Sequence, residues 1–305
     1  MTNLNSVADS YSNIMAHIVL SDAEKFYIIN GIDNSEFRAD GRNCEDYRVV
    51  ELETGVLVNT NGSSRLRLGN TELLTGVKVE LGVPNPKHPN QGWVEFHVDC
   101  SPNAGLAFQG RGGQDLSNGI CSHLSRIYNN HSSLDLSQLC IVPGRHCWVV
   151  HVDVIMLEYG GNLFDAVSIA VKAALYDIGV PKVSATAGDE GEYELNLPDD
   201  PSDVIKLKTS SCPVLVTISK IGNHHVVDAT LEEEFCSHAS LIVGVTAKGL
   251  VTGVKKAGSG SLCLESINEM LETAKKVGKR VNQGFNKLMK LEKGMSKSLD
   301  KVGYL

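Results

Sequence analysis

The sequence lacks the long apolar runs and the leader-like start that mark membrane and secreted proteins. No uninterrupted apolar stretch approaches the roughly 20 residues of a membrane helix, and residues 1–17 carry no basic cluster followed by an apolar segment. With 42% hydrophobic and 21% charged residues, the 305-residue chain is far from the composition of disordered proteins. We therefore expect a folded protein that is neither exported nor inserted into a membrane.

Paired cysteines and an excess of basic charge are also absent. The eight cysteines are scattered without a C-x-x-C pair, which favours free thiols in a reducing compartment over a disulfide or zinc framework. Lys and Arg number 28 against 36 Asp and Glu, a formal net charge of −8. This balance argues against nucleic-acid binding over the whole surface. Between Lys275 and Lys301 basic residues far outnumber the two acids, Glu292 and Asp300, which indicates either a solvated helix face and tail or a local contact surface.

The sequence has none of the spaced motifs of common enzyme classes. It contains no G-x-S-x-G elbow, Walker loop or H-E-x-x-H pair. The pair His224-His225 has no further ligands at metal spacing, so a turn exposing polar side chains is favoured over a metal site. We expect no metal and no cofactor.

Secondary-structure signals are nevertheless clear along the first part of the chain. The capping box Ser21-Asp22-Ala23-Glu24 predicts a helix from Asp22 to about Asn30, ended by Gly31. After Tyr47, short β-branched runs separated by turn residues predict an antiparallel meander. The predicted strands are residues 48–51, 56–60, 64–68, 73–81 and 93–99.

The rest of the chain predicts two amphipathic helices, a polar connection and a second β-rich half. The helices are expected at residues 115–128 and 162–178, with an apolar strand at 147–157 between them. Strands at 214–221, 225–228, 240–246 and 250–255 then precede a helix from about 264 to 288. The predicted organisation is an N-terminal segment (1–30), a first half (31–183), a linker or hairpin (184–211), a second half (212–290) and a basic tail (291–305).

Four motifs taken together resemble the ribonuclease PH family. Each motif alone is common, but their order and spacing over most of the chain are specific. The resemblance implies an α+β ribonuclease PH fold (ribosomal protein S5 domain 2-like) with two β-rich α+β halves. The motifs are Arg38-Ala39-Asp40-Gly41-Arg42 with Tyr47-Arg48, Gly69-Asn70-Thr71, Gly160-Gly161-Asn162-Leu163 with Asp165-Ala166, and Asp228-Ala229-Thr230 with Glu232 and Glu233.

The resemblance extends to the members of this family that form the ring of the eukaryotic RNA exosome. It implies other ribonuclease PH-like subunits in a hetero-hexameric ring, exosome cap subunits and single-stranded RNA as partners. It further implies a part in 3′-to-5′ RNA degradation and processing, including rRNA maturation and mRNA turnover. The location that it implies is the nucleus, including the nucleolus, and the cytoplasm.

The positions that carry phosphorolysis in active relatives are altered here. Such a site needs basic groups for phosphate and RNA, together with a carboxylate. Tyr159 stands where active relatives place an acid, while Glu158 and Asp153 lie upstream. Gln114 and Asp115 follow Gly113 where the relatives hold an arginine, so a local N-cap is favoured over phosphate binding.

These departures predict a non-catalytic structural subunit. The alternative is an active phosphate-dependent 3′-to-5′ exoribonuclease whose site is shared with a partner subunit. The candidate RNA contacts are Arg65 and Arg67, which share one face of a strand, and Arg111 in a Gly-rich loop. For each of the three, solvent exposure or an ion pair between subunits is the competing interpretation.

Overall fold

The structure is a computed structural model that describes residues 20–35, 37–100, 104, 108, 111–130, 132–187, 193–196, 200 and 203–296. The helices within these residues are α1 (Asp22–Ser35), α2 (Arg111–Tyr128), α3 (Leu163–Asp177), α4 (Leu231–Cys236) and α5 (Leu264–Ser296). The strands of the first half are β1 (Val50–Thr54), β2 (Gly62–Leu68), β3 (Thr71–Gly82), β4 (Trp93–Asp99), β5 (Cys140–Val142), β6 (His146–Glu158) and β7 (Val180–Pro181). The remaining strands are β8 (Ser184–Ala187), β9 (Tyr193–Asn196), β10 (Val204–Ile205), β11 (Val214–Ile221), β12 (His224–Val227), β13 (Ala239–Val245) and β14 (Val251–Ala257).

Helix α1 begins at the predicted capping box. Ser21 N donates to Glu24 Oε2 at 2.8 Å, and Glu24 N donates back to Ser21 Oγ at 3.3 Å. The prediction that Gly31 ends the helix is wrong, because the helix continues to Ser35. The extra turn buries Ile32 against a small apolar cluster that includes Ile221, and this burial outweighs the low helix propensity of glycine.

The first sheet has the strand order β1-β2-β3-β6-β4, with β5 paired to the start of β6. Strands β1 to β3 are antiparallel neighbours, and β6 is antiparallel to β3. Along β6 the side chains of Val150, Val152 and Val154 are buried, whereas Asp153 and Ile155 are exposed. One face of the sheet therefore covers the core and the other faces outward.

Two predictions for this sheet are wrong. Residues 56–60 form a turn instead of a strand, because Leu57 N donates to Ser63 Oγ and Thr60 Oγ1 donates to the Leu57 carbonyl, each at 2.9 Å. The sheet is also not a pure antiparallel meander, since β4 runs parallel to β6. A parallel pair needs a long crossover, which α2 and β5 supply.

Helix α3 has the predicted bounds but not the predicted amphipathic character. Every residue from Leu163 to Leu175 is buried, including Asp165, Ser168 and Lys172. The helix packs against β2 and β3 on one side and against β11 of the second sheet on the other. A helix covered on both sides needs internal partners for its polar side chains.

Lys172 illustrates how this requirement is met. Its Nζ donates to the Cys212 carbonyl at 2.7 Å and to Asn282 Oδ1 on α5, and it lies 5.2 Å from the centroid of the Phe285 ring. Burial lowers the pKa of Lys172 to about 8. The lysine thus ties the central helix both to α5 and to the chain entering β11.

The second sheet has the order β12-β11-β13-β14, all antiparallel, and its strands match the predicted positions closely. Helix α5 covers it through Met270, Ala274 and Val277. The helix then extends past its predicted end at 288. On either side of that position, Phe285 and Met289 join the core of the first half. This extension crosses both halves and reaches β1, since Thr54 N donates to Glu292 Oε1 at 2.7 Å.

The polar connection contains the predicted hairpin, because β8 and β9 pair antiparallel. The polar turn stretch at residues 188–191 lies outside the described residues, as does all but Asp200 of the stretch at 198–201. Residues 1–19 and the last part of the basic tail, 297–305, also lie outside them. No described helix is both long and apolar enough to cross a membrane.

Candidate active site and the buried polar cluster

The motifs that carry the family resemblance meet between the two halves in one set of polar side chains, here called the polar cluster. The cluster joins the loop after α1, the start of α3 and the segment from β12 to α4. Its members are Arg38, Arg42, Tyr47, Arg48, Asn162, Asp165, Thr217, Asp228, Glu233 and Glu234.

Arg38 lies at the centre of the polar cluster with no solvent exposure. Its guanidinium forms a two-pronged pair with Glu233, with Nε to Oε1 at 2.9 Å and Nη2 to Oε2 at 2.5 Å. It also donates to the carbonyls of Val227 and Asp228, at 3.0 and 2.8 Å. Glu233 in turn completes a capping box with Thr230 at the start of α4, so the first arginine of the signature serves structure.

Asp228 holds the second pair of the polar cluster. Arg48 donates to it through Nε at 3.0 Å and Nη2 at 2.8 Å, and Asn162 Nδ2 donates at 2.7 Å. Burial opposes the charge, but these bonds, with those from Arg48 foremost, hold the pKa of Asp228 below its usual range. Asp228 and Asn162 both have positive φ, 49° and 53°, a strained conformation that the shared bonds maintain.

Asp165 is a fully buried carboxylate in the first turn of α3. It accepts from Tyr47 Oη at 2.6 Å, Asn162 Nδ2 at 2.9 Å, Thr217 N at 2.9 Å and Thr217 Oγ1 at 2.7 Å. Burial raises the pKa of Asp165 to about 6 despite these donors. Its acceptor capacity is used in joining α3 to β11, which leaves it no role toward a substrate.

Tyr159, at the position for which the family resemblance implies an acid, is a hydrogen-bonded tyrosine. Tyr159 Oη donates to Glu234 Oε2 at 2.8 Å, and its ring packs edge-on against Phe108 with centroids 5.2 Å apart. Glu234 also accepts from Asn162 N at 2.8 Å, and burial raises its pKa to about 7. Glu158 and Asp153 are exposed. The carboxylate beside Tyr159 is therefore internal to the fold.

The segment where active relatives hold phosphate forms the first turns of α2. Gln114 and Asp115 are exposed there, and Asp115 is the fifth residue of the helix. Asp115 is therefore not the N-cap of α2, and the other local polar residues that could cap it, before Arg111, lie outside the described residues. Arg111 is the first residue of the helix, and its side chain lies outside the described part of the structure.

Arg65 and Arg67 lie on the exposed face of β2, as their alternation predicted. Arg65 donates to Glu72 Oε1 at 2.8 and 2.5 Å through Nε and Nη2, and this pair is the main reason that the Arg65 pKa is raised. On the other side, Arg65 stands opposite Glu53 and Arg67 opposite Glu51. Three glutamates thus surround the two arginines. The ion pair of Arg65 is formed within the chain, not with another subunit as the competing interpretation had it, and these carboxylates disfavour RNA phosphate at this surface.

The prediction that His224 and His225 lie in a turn is wrong, because the turn is formed by Gly222 and Asn223 and the two histidines begin strand β12, opposite Ile221 and Lys220 of β11. His225 Nε2 is bonded to Ser266 Oγ at 2.6 Å. No group of three or more metal-ligating side chains occurs in the described part of the chain. All eight cysteines are free thiols.

Sequence reasoning missed the inward role of Glu234 and the helix α4. It also assigned Glu232 to the motif, although this side chain is exposed and Glu233 and Glu234 make the internal bonds. The spacing Thr230-x-x-Glu233 is a capping-box signal that could have located α4. The distant partners Arg38 and Asn162 have no such local signal.

Comparison with family models matches the chain to the 3′ exoribonuclease family twice. Domain 1 of the family matches residues 46–181, and domain 2 matches residues 211–277. These segments cover the first and second sheets, respectively, and leave the C-terminal part of α5 outside the match.

Individual proteins agree with the family models. The chain is 33% identical over 318 residues to a candidate exosome complex exonuclease RRP42 of Dictyostelium discoideum, covering 89% of this chain and 98% of that protein. It is 35% identical over 257 residues to the exosome complex component Rrp42 of Pyrococcus furiosus, covering 84% of this chain and 90% of the relative.

Solved structures of exosomes share the fold. A chain of the Archaeoglobus fulgidus exosome with RNA bound to the active site superposes with a TM-score of 0.74 at 27% identity, covering 87% of this chain and 98% of that one. A chain of an archaeal exosome core gives 0.71 at 25% identity, covering 90% and 99%.

Proposed function

Since this chain belongs to the 3′ exoribonuclease family of ribonuclease PH proteins, we propose that it is a ring subunit of an RNA exosome and has no catalytic site of its own. Relatives named exosome component Rrp42 match it over most of both chains, and the similar solved structures are exosome cores. Its partners are other ribonuclease PH-like subunits, cap subunits and single-stranded RNA, and its role is to support 3′-to-5′ RNA degradation and processing.

The observation that carries the non-catalytic proposal is the bond between Tyr159 and Glu234. A phosphorolytic site needs a carboxylate that faces the reacting phosphate. Tyr159 cannot supply one, and Glu234 is bonded to Tyr159 Oη and Asn162 N, each at 2.8 Å.

RNA contact without catalysis remains part of the proposal. Arg65 and Arg67 are the weaker candidates, because Glu51, Glu53 and Glu72 share their surface. Arg111 is the better candidate because the start of a helix favours anions. Loss of RNA crosslinking in the Arg111→Ala variant, with crosslinking kept in the Arg65→Ala/Arg67→Ala variant, is the expected ranking.

The test of the non-catalytic proposal is phosphate-dependent release of nucleoside diphosphates. The purified chain and the affinity-purified complex should be assayed with the Glu158→Gln/Asp153→Asn variant beside the unaltered chain. We expect no release from the chain alone and less than a twofold change in the complex. A loss of about 100-fold or more in the variant complex would instead support an active shared site, since removing one catalytic group costs that much.

We also propose residence in the nucleus, including the nucleolus, and in the cytoplasm, which imaging of the tagged chain tests. Recovery of the tagged chain in a large complex with other ribonuclease PH-like subunits is the expected result of sizing and mass spectrometry. A monomer with activity of its own would contradict the scaffold role.

A further inference from the structure

Strand β1 is an edge of the first sheet, and the direction of its backbone groups can be derived. The Val49 carbonyl accepts from Gly69 N, and Gly55 N donates to the Ser63 carbonyl, each at 3.1 Å. Odd-numbered residues of this antiparallel strand therefore face β2, and the N–H and C=O groups of Val50, Leu52 and Thr54 point outward. Thr54 N indeed bonds Glu292 of α5 on that side.

The outward edge opens into a groove between β1 and α5. The groove has a volume of about 310 Å³, and its exposed lining is mostly apolar. Val50 and Leu52 form one wall, Val281 and Leu288 of α5 the other. Among the described strands, β1 pairs with β2 alone, so the outward N–H groups of Val50 and Leu52 meet no further strand. Unused strand groups beside an apolar channel are what strand addition requires.

Gly284 supports an external occupant for this groove. It lies inside α5 and lines the groove, yet an added Cβ would meet no atom within 4 Å. Glycine weakens a helix relative to alanine, and no atom of the residues that the structure describes requires it here. A close approach by the backbone of another chain would require a glycine at this position.

The charges beside the edge indicate what the occupant carries. Across the exposed face, Glu72 of β3 stands opposite Arg67 of β2, which stands opposite Glu51 of β1. Glu53 likewise stands opposite Arg65. The sign of the side-chain charge thus alternates from β3 to β2 to β1, and β1 presents glutamates at the open edge. Opposite charges on neighbouring strands attract, so the next strand should be basic on this face.

We propose that the β1–α5 groove binds an extended segment of a second protein chain, which adds to β1 as a further strand. Alternate side chains of the segment are apolar and enter the groove, and the intervening ones are Lys or Arg and meet Glu51 and Glu53. This goes beyond the proposed function, because it holds whether or not the chain is catalytic. Glu51 and Glu53 at the edge repel the phosphates of single-stranded RNA, so a protein segment is favoured.

The probe is a fluorescein-labelled heptapeptide of alternating lysine and valine, measured by fluorescence anisotropy on the full chain. A peptide of the same composition, with its valines and lysines in separate blocks, controls for charge alone. We expect the alternating peptide to bind at least tenfold more tightly than the block peptide. Equal affinity for the two peptides would contradict strand addition.

Two variants test the site, each with a matched control. Gly284→Phe fills the groove, whereas Asn286→Phe adds the same ring at an exposed position of α5 outside the groove. Glu51→Gln/Glu53→Gln removes two charges at the edge, whereas Glu232→Gln/Glu265→Gln removes two exposed charges elsewhere. We expect at least tenfold weaker peptide binding for the first variant of each pair and less than a twofold change for each control. Circular dichroism checks that all four are folded.

Amide hydrogen exchange gives a readout that is specific for a strand. The bound peptide should slow exchange at Val50 and Leu52, which point outward, and leave Glu51 and Glu53 unchanged. Uniform slowing along β1, or none, would overturn the proposal.

The same binding experiment tests two other possible occupants of the groove. Displacement of the peptide by a uridine decamer would assign the groove to RNA. Tenfold tighter peptide binding by a chain ending at Ser296 would assign it to this chain's own residues 297–305. Either result would overturn the proposal, and unchanged binding in both would support a second protein chain.

Discussion

Arg38 and Arg48 direct their hydrogen-bonding capacity inward, toward Glu233 and Asp228. The same two residues belong to the first motif that carries the family resemblance. This motif therefore marks a place where the two halves of the protein are held together. Buried ion pairs of this kind contribute little net stability when intact but cost a great deal when one partner is removed. Replacing a buried arginine and replacing an exposed one should therefore lower the free energy of unfolding by very different amounts, although the two residues look alike in the sequence.

The Arg38→Leu variant should lose about 3–5 kcal/mol of unfolding free energy, because it leaves the Glu233 carboxylate buried without its partner. Arg65→Leu is the matched control, since Arg65 pairs with Glu72 on the exposed face, and exposed pairs contribute about 0–1 kcal/mol. Urea unfolding of both variants measures the difference. Similar losses in the two would contradict the structural role of Arg38.

Glu234 should make stability depend on pH. Its folded-state pKa is raised to about 7 from 4.5, so its contribution is fully present below about pH 4.5 and is lost as pH rises through about 7. Compared with Glu234→Gln, the unaltered chain should lose on the order of 2 kcal/mol between pH 5 and pH 8. Parallel pH profiles of urea midpoints for the two chains would contradict this.

Helix α5 shows at the element scale how one residue type can have opposite roles. A Cβ at Gly278 would lie 2.6 Å from the Cβ of Val245, whereas a Cβ at Gly284 would meet nothing within 4 Å. Gly278 is thus required by close packing on the second sheet, whereas no contact with the described part of the chain requires Gly284. Sequence pattern alone cannot separate these cases, because both glycines interrupt the same helical periodicity.

Gly284→Ala should therefore stabilise the protein by about 0.5–1 kcal/mol through helix propensity. Gly278→Ala should destabilise it, because Val245 must move to make room. Thermal unfolding of the two variants shows directly whether each substitution raises or lowers the stability. A destabilised Gly284→Ala variant would mean that the position is already filled.

The two halves share one structure at the scale of the whole molecule. Helix α3 packs on both sheets, α5 covers the second sheet and then enters the core of the first, and the polar cluster joins their loops. Neither half has a complete core without the other. Cooperative unfolding of both halves follows from this sharing.

We expect urea unfolding to be a single transition. Tryptophan fluorescence reports only the first half, where Trp93 and Trp148 lie, whereas far-ultraviolet circular dichroism reports both halves. The two signals should have the same midpoint. Separate midpoints would show that the halves unfold independently.

Local signals in the sequence determined most strands, the capping box of α1, the bounds of α3 and the α+β class, because hydrogen-bond caps and side-chain periodicity act over a few residues. The family motifs, through their order, also indicated the ribonuclease PH fold that the comparisons confirm.

Tertiary structure alone decided what depends on distant partners. It decided that α3 is buried on all sides, that Gly31 stays within a helix, that β4 is parallel to β6, and that Arg65 faces glutamates. It also decided that Arg38 meets Glu233, 195 positions away. These outcomes depend on burial and charge pairing between segments far apart in the chain. Such contacts override local secondary-structure propensity wherever they contribute more free energy than the propensity does.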